Sequence, residues 1–169
     1  GHPLSSVLEW TIARSNKLSP ENVISFSSRT IPVMAILRKN LLEKKKTQIA
    51  YTGSLPNCFD ADLLNTIYGY QFDLKMVKHI SDISKFDGST IFISEQSDMC
   101  DITLNPQIDF FISTNAQYGS IITVNGEQNH SYISEIQHVR RRETIAMTPI
   151  NALSVLNILV GNSSEKINI

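Results

Sequence analysis

The chain has 169 residues, of which 41% are hydrophobic and 18% charged, enough apolar material for one domain or for two small lobes sharing a core. Its net charge of −1 leaves no field strong enough to grip a nucleic-acid backbone. Two cysteines far apart in sequence, Cys58 and Cys100, exclude a disulfide-dense scaffold and read as reduced thiols.

In chain order, Ser6-Val7-Leu8-Glu9 has the spacing of a capping box and predicts a short helix to about Ala13. Residues 22–27, rich in β-branched and aromatic side chains, predict a buried strand. A helix is expected next, capped by Thr30 with Pro32 in its first turn and Met34, Leu37 and Leu41 on one face. Lys44-Lys45-Lys46 would close it, where positive charge suits the end of the helix dipole. A strand over 47–52 follows, then a turn at 53–56 and a short helix over 60–68 ended by Gly69. Residues 70–77 alternate as a half-buried strand with Phe72, Leu74 and Met76 on one side. Residues 89–94 predict another strand, after an Asp87-Gly88 turn, and the polar stretch 95–107 is a candidate lobe boundary.

From Asp109 the pattern predicts three strands and a helix. The first begins at Phe110-Phe111-Ile112, the second covers 118–124, and Asn125-Gly126 suits a two-residue hairpin turn. The third strand is expected over 130–139, before a helix opened by Thr148-Pro149 and ended by Gly161. These elements divide the chain into an N-terminal α/β lobe (1–105), a three-strand meander plus helix (106–161) and a polar tail (162–169). The longest apolar stretch, 150–160, is interrupted by Asn151, Ser154 and Asn157 and is too short to span a bilayer, so the chain is expected to be soluble.

No motif for catalysis is intact. Asp60 or Asp62 with Asp73-Leu74-Lys75 loosely imitates the acidic, metal-holding site of a nuclease or phosphodiesterase whose lysine stabilises the attacked phosphate, but such spacing is common on solvated strand faces. His79, His130, His138 and the two cysteines lack the spacing of zinc ligands, and His130 and His138 are too far apart on one strand to share an ion. There is no nucleophile elbow and no glycine-rich phosphate loop. Ser28, Arg29 and Thr30 at a helix start could hold an anion, which leaves open a Rossmann-like small-ligand sensor with its pocket near Ser27-Ser28-Arg29 and Thr52-Gly53. Arg140-Arg141-Arg142 is the most suggestive surface feature, able to grip phosphates, anionic headgroups or an acidic partner.

Three strands followed by a helix over 109–160 resemble the core of an actin-like (ribonuclease H-like) subdomain. Nucleotide-binding members carry an Asp-x-Gly-x-x-x-Thr type loop in the first hairpin. Here Thr114 stands where the Asp would be and Ala116 where the Gly would be, with Gly119 and Ser120 at the small or hydroxyl positions. This degenerate loop makes nucleotide binding improbable. A degraded actin-like domain with a polar tail is similar to the cytoplasmic domains of inner-membrane platform proteins of type IV pilus and type II secretion systems, and the Ile-, Asn-, Ser- and Lys-rich composition would suit a bundle-forming pilus system of an enteric bacterium. The resemblance implies a non-catalytic, mixed α/β scaffold in the cytoplasm, with no cofactor, metal or nucleic acid. It would dock the assembly ATPase and a polytopic inner-membrane protein, with a transmembrane segment beyond Ile169 and possible homo-oligomers. Arg140, Arg141 and Arg142 are then the expected partner-binding surface.

Overall fold

The computed structural model describes residues 3–26, 28–52, 69–95, 102, 104–115, 117 and 119–143, without the side chains of 3–6, 142 and 143. Helix α1 (Pro3–Ser15) leads through a 3-10 turn to β1 (Val23–Phe26). Helix α2 (Ile31–Leu42) is followed by β2 (Thr47–Thr52), β3 (Asp73–Met76) and β4 (Ser89–Glu95). Strands β5 (Phe110–Asn115) and β6 (Gly119–Val124) precede α3 (His130–Glu143). Six strands form one mixed sheet in the order β1-β6-β5-β4-β2-β3. The pairs β2–β3, β2–β4 and β4–β5 are parallel, whereas β6 runs antiparallel to both of its neighbours.

Burial explains this order. Every residue of β1 and β6 is buried, as are the first five of β4 and of β5, the pattern of strands covered on both faces. One face carries Ile24, Phe26, Ile49, Ile91, Ile93, Phe110, Ile112, Ile122 and Val124, and Val33, Ile36 and Leu37 of α2 with Tyr132, Ile136 and Val139 of α3 pack on it. Each such side chain contributes about 1.5–3 kcal/mol when fully buried. On the other face Ala50, Phe92 and Phe111 meet Val77, Ile83 and Ile108 from the connections. At the sheet edge, all four residues of β3 are exposed, including Leu74 and Met76, which were expected to be half-buried.

The actin-like meander is not formed. Residues 130–139, expected as its third strand, are helical, because Tyr132, Ile136, Val139 and Arg140 recur at i, i+4, i+7 and i+8 and line one buried face. Asn125-Gly126 is accordingly not a hairpin turn. Only Gly126 of the two has positive φ (84°), and the chain continues into a 3-10 turn, Glu127–Asn129. Asn125 is instead tied down: its Nδ2 donates to the Ile108 carbonyl (2.8 Å), and its backbone N–H donates to the Asp109 carbonyl (2.8 Å). The Asp109 carboxylate accepts from the Thr90 backbone N–H and from Asn129 Nδ2, both at 2.8 Å, which fixes the start of α3 against β4 and β5. The antiparallel pairing of the two preceding strands is present, Phe110 opposite Val124 through Asn115 opposite Gly119. The boundary drawn after residue 105 falls between β4 and β5, adjacent strands of the single sheet. The helices expected over 60–68 and 148–161 lie outside the described residues.

Glu9 is not part of a capping box; α1 begins at Pro3, and Glu9 lies mid-helix with its carboxylate turned inward. It accepts from the Ser25 backbone N–H (2.7 Å) and hydroxyl (3.1 Å) and forms an ion pair with Arg140 of α3. Three elements thus meet on one buried anion. Replacing Glu9 by Ala should destabilise the protein by about 3–5 kcal/mol, because it leaves a buried guanidinium uncompensated. The double replacement Glu9→Met with Arg140→Met should recover most of that loss, both read from urea unfolding midpoints.

Candidate functional site

Five strands run in one direction, so Phe26, Thr52, Met76, Glu95 and Asn115 end at a common edge, where β6 starts at Gly119. In folds with parallel strands, ligands sit outside this carboxyl edge, where loops leave the sheet and helices begin. The crossover from β1 to α2 stands here beside the β5–β6 connection. Ser120 is paired with Phe26 on one side and Thr114 on the other, and its hydroxyl donates to the Ser28 carbonyl. That bond ties the loop before α2 to the middle of the sheet edge.

Ser28 shapes the helix start. Its Oγ accepts from the backbone N–H groups of Thr30 (3.1 Å) and Ile31 (3.2 Å) and lies 3.4 Å from the Thr30 hydroxyl. Thr30, the expected cap, makes no capping bond through its side chain. The chain reaches the helix through Ser28 because Pro32 fixes the first turn and has no N–H to satisfy. Arg29 is half-buried beside it. Across the edge, Asn115 Oδ1 accepts the Gln117 backbone N–H (2.8 Å), which shapes the β5–β6 connection, and Glu95 places an exposed carboxylate at the end of β4 opposite Thr114. Among the described residues the edge thus offers hydroxyls, amides, the Arg29 guanidinium and the Glu95 carboxylate around the positive end of a twelve-residue helix.

The sequence candidates are distributed unevenly over this geometry. Ser28, Arg29 and Thr30 lie at the edge, and Thr114 is buried there in β5, while Ala116, Ser27 and Gly53 are outside the described residues. Asp73 and Lys75 are exposed on β3, and Asp60 and Asp62, the other nuclease-like candidates, lie outside the described residues with Cys58 and Cys100. His79 is exposed, and His130 and His138 are exposed on α3 rather than on a strand; among the described residues no three His, Cys, Asp or Glu side chains could share a metal ion. Of the arginine run, Arg140 is held inside by Glu9, Arg141 is exposed and the Arg142 side chain is not described. The contributions of Glu95, Asn115 and Gln117 were missed, although the polar run Ser113-Thr114-Asn115 closing an apolar strand was a visible signal. Among the described residues no helix is long and apolar enough to cross a membrane.

No protein-family model matches the sequence, and no curated protein is similar to it. The structure is similar to that of a candidate aminotransferase from Silicibacter pomeroyi, with a TM-score of 0.53 and 11% identity over 96% of this chain and 58% of that one. It is also similar to a candidate L-allo-threonine aldolase from Listeria monocytogenes, with a TM-score of 0.57 and 12% identity over 98% of this chain and 60% of that one. The chain therefore spans about three fifths of the length of these structures. At such identity the likeness is one of fold, and it overturns the expected kinship with actin-like platform domains of pilus and secretion systems. The expected non-catalytic scaffold role falls with that kinship, since both similar structures are described as enzymes.

Ser28→Ala should cost about 1 kcal/mol by uncapping α2, and Ser120→Ala about 0.5–1.5 kcal/mol. Because both act through Ser28, the double variant should lose less than the sum, as chemical unfolding would measure.

Proposed function

We propose that this chain is the sheet domain of an enzyme of the aminotransferase or aldolase kind, built on the pyridoxal-phosphate fold-type I architecture, and that it receives a small phosphorylated ligand at the carboxyl edge of its sheet. The observation that carries this reading is the fold likeness over nearly the whole chain. The start of α2 supports it, because Arg29 stands there and the positive end of the helix dipole favours an anion.

Pyridoxal phosphate, when bound in such enzymes, supplies an electron sink and is anchored through an imine to a lysine. For the phosphate half of that cofactor the described residues offer the Arg29 guanidinium and the positive end of α2, although the N–H groups of Thr30 and Ile31 already donate to Ser28 and Pro32 has none. The covalent half does not fit them. Of the nine lysines, Lys17 precedes β1, Lys39 and Lys44 to Lys46 lie on α2 and before β2, and Lys85 precedes β4. Lys75 and Lys78 belong to β3 and its exit, five strand spacings or roughly 24 Å from β1. Lys166 is outside the described residues. Among the described residues this edge therefore has no lysine placed to anchor the cofactor, and recognition of the phosphorylated ligand is the function proposed for it.

Pyridoxal phosphate should bind saturably to the Lys44→Gln, Lys45→Gln, Lys46→Gln variant, which lacks the exposed lysine cluster at the opposite edge, and be removed by dialysis. Arg29→Glu should weaken that binding roughly tenfold or more, since a charge-assisted contact of about 1.5–3 kcal/mol is lost. Equal affinity for pyridoxal lacking its phosphate would overturn the reading.

A further inference from the structure

The opposite edge of the sheet carries a second, chemically different concavity. A cavity of about 480 Å³ lies between the last turns of α2, the start of β2 and the chain approaching β3, lined among others by Asn40, Lys44, Lys45, Lys46, Phe72 and Phe86. That volume is in the range of small-molecule pockets.

Its floor is rigid. Asn40, fully buried, donates through Nδ2 to the Thr47 hydroxyl (2.8 Å), and its Oδ1 accepts from the Tyr132 hydroxyl. Its backbone is equally fixed. The Lys44 N–H donates to the Leu41 carbonyl (3.2 Å), the Lys45 N–H to the Asn40 carbonyl (2.8 Å), and the Lys46 carbonyl accepts from the Ser89 N–H (2.9 Å). Gly88 is needed for this last approach, since a Cβ there would lie 2.3 Å from the Lys46 carbonyl oxygen. Lys44 has φ of 56°, a conformation that glycine or asparagine adopts at lower cost at a helix end. The loop thus presents three consecutive ammonium groups from a backbone that has little freedom to move.

Among the described residues those cations form no ion pair: the pairs are Lys39 with Glu43 and Arg140 with Glu9, so none of Lys44, Lys45 and Lys46 has a carboxylate partner there. Lys45 leans on the Tyr132 ring instead, 5.5 Å from its centroid. Asp73 is the acidic residue in the lining. One cation would complement the carbonyls ending α2; three exceed what the dipole calls for. Phe72 and Phe86 add aromatic surface to the same wall.

We infer that this cavity is a binding site for a phosphate ester with an aromatic body, of nucleoside monophosphate size, its phosphate held by Lys44, Lys45 and Lys46 and its ring set against Phe72 and Phe86. Lysine serves phosphate as a compact point charge, and the aromatic walls favour a planar group over a bare anion. The site is separate from the carboxyl edge, with no residue shared.

The test is calorimetric titration of the intact chain with adenosine monophosphate and with inorganic phosphate. Saturable binding of the nucleotide that weakens as salt rises, and that is at least tenfold tighter than phosphate, supports the site. The variant Lys44→Gln, Lys45→Gln, Lys46→Gln changes exposed side chains, and an unchanged melting temperature would confirm that it folds. It should lose nucleotide affinity at least tenfold, while Arg29→Glu, at the other edge, should leave it unaltered. No saturable nucleotide binding, equal binding of inorganic phosphate, or loss of binding in Arg29→Glu but not in the lysine variant would each overturn the inference.

Discussion

The architecture depends on the carboxylate of Glu9. Strand β1 pairs with β6 along one side and has no strand on the other among the described residues, where an unpaired backbone N–H would invite another strand. Glu9 takes that N–H at Ser25, and because it is an anion it also draws in Arg140 from a helix 131 residues further along the chain. The interaction closes the open side of the sheet and clamps the end of α3 to it. A buried ion pair is not in itself a large source of stability, since both charges lose water. Its effect is to specify: with Glu9 in place, only one position of α1 and one of α3 satisfies all three donors.

The consequences run along β1. The strand is four residues long and supplies the chain that turns into α2, so any shift of β1 would move Ser28 and Arg29 with it. Asn22 adds a second tie, donating to the Val124 carbonyl at 3.0 Å. The position of the helix start at the carboxyl edge thus follows from contacts made on the far side of the strand. Stability and ligand geometry are coupled here through a single short element.

Much of this was legible from local pattern. The strand over 47–52 and the helix from Ile31 stand where hydrophobic spacing and Pro32 put them, because their side chains meet a core of the expected kind. The failure at 130–139 has a definite cause: Tyr132, Ile133, Ile136 and Val139 have the β-branched and aromatic character of a strand but the spacing of a helix, and in this segment period outweighed propensity. That one substitution of strand for helix generated the actin-like reading. The sheet order was beyond local pattern altogether, since nothing near β6 in sequence states that it will insert between β5 and β1. Arg140 was misleading for a similar reason. Its partner is a glutamate read as half of a capping box, and neither residue carries a local sign that it will be buried.

The two edges of the sheet show how charge is divided between rigid and adaptable recognition. At the carboxyl edge the groups are mostly neutral and already committed to one another, with Ser28 capping α2 and Ser120 holding Ser28. A ligand there must compete with, or extend, a satisfied network, so its anionic group would depend on Arg29 more than on backbone N–H groups. At the opposite edge the three lysines have no anionic partner among the described residues, and the polar bonds that fix them use only backbone. Their side chains remain long and solvated, so the attraction they exert is electrostatic and screened by salt. A domain that keeps its ordered hydroxyls at one edge and its uncommitted cations at the other presents two chemically different surfaces, set apart by the length of strands of which β1, β4, β5 and β6 are largely buried.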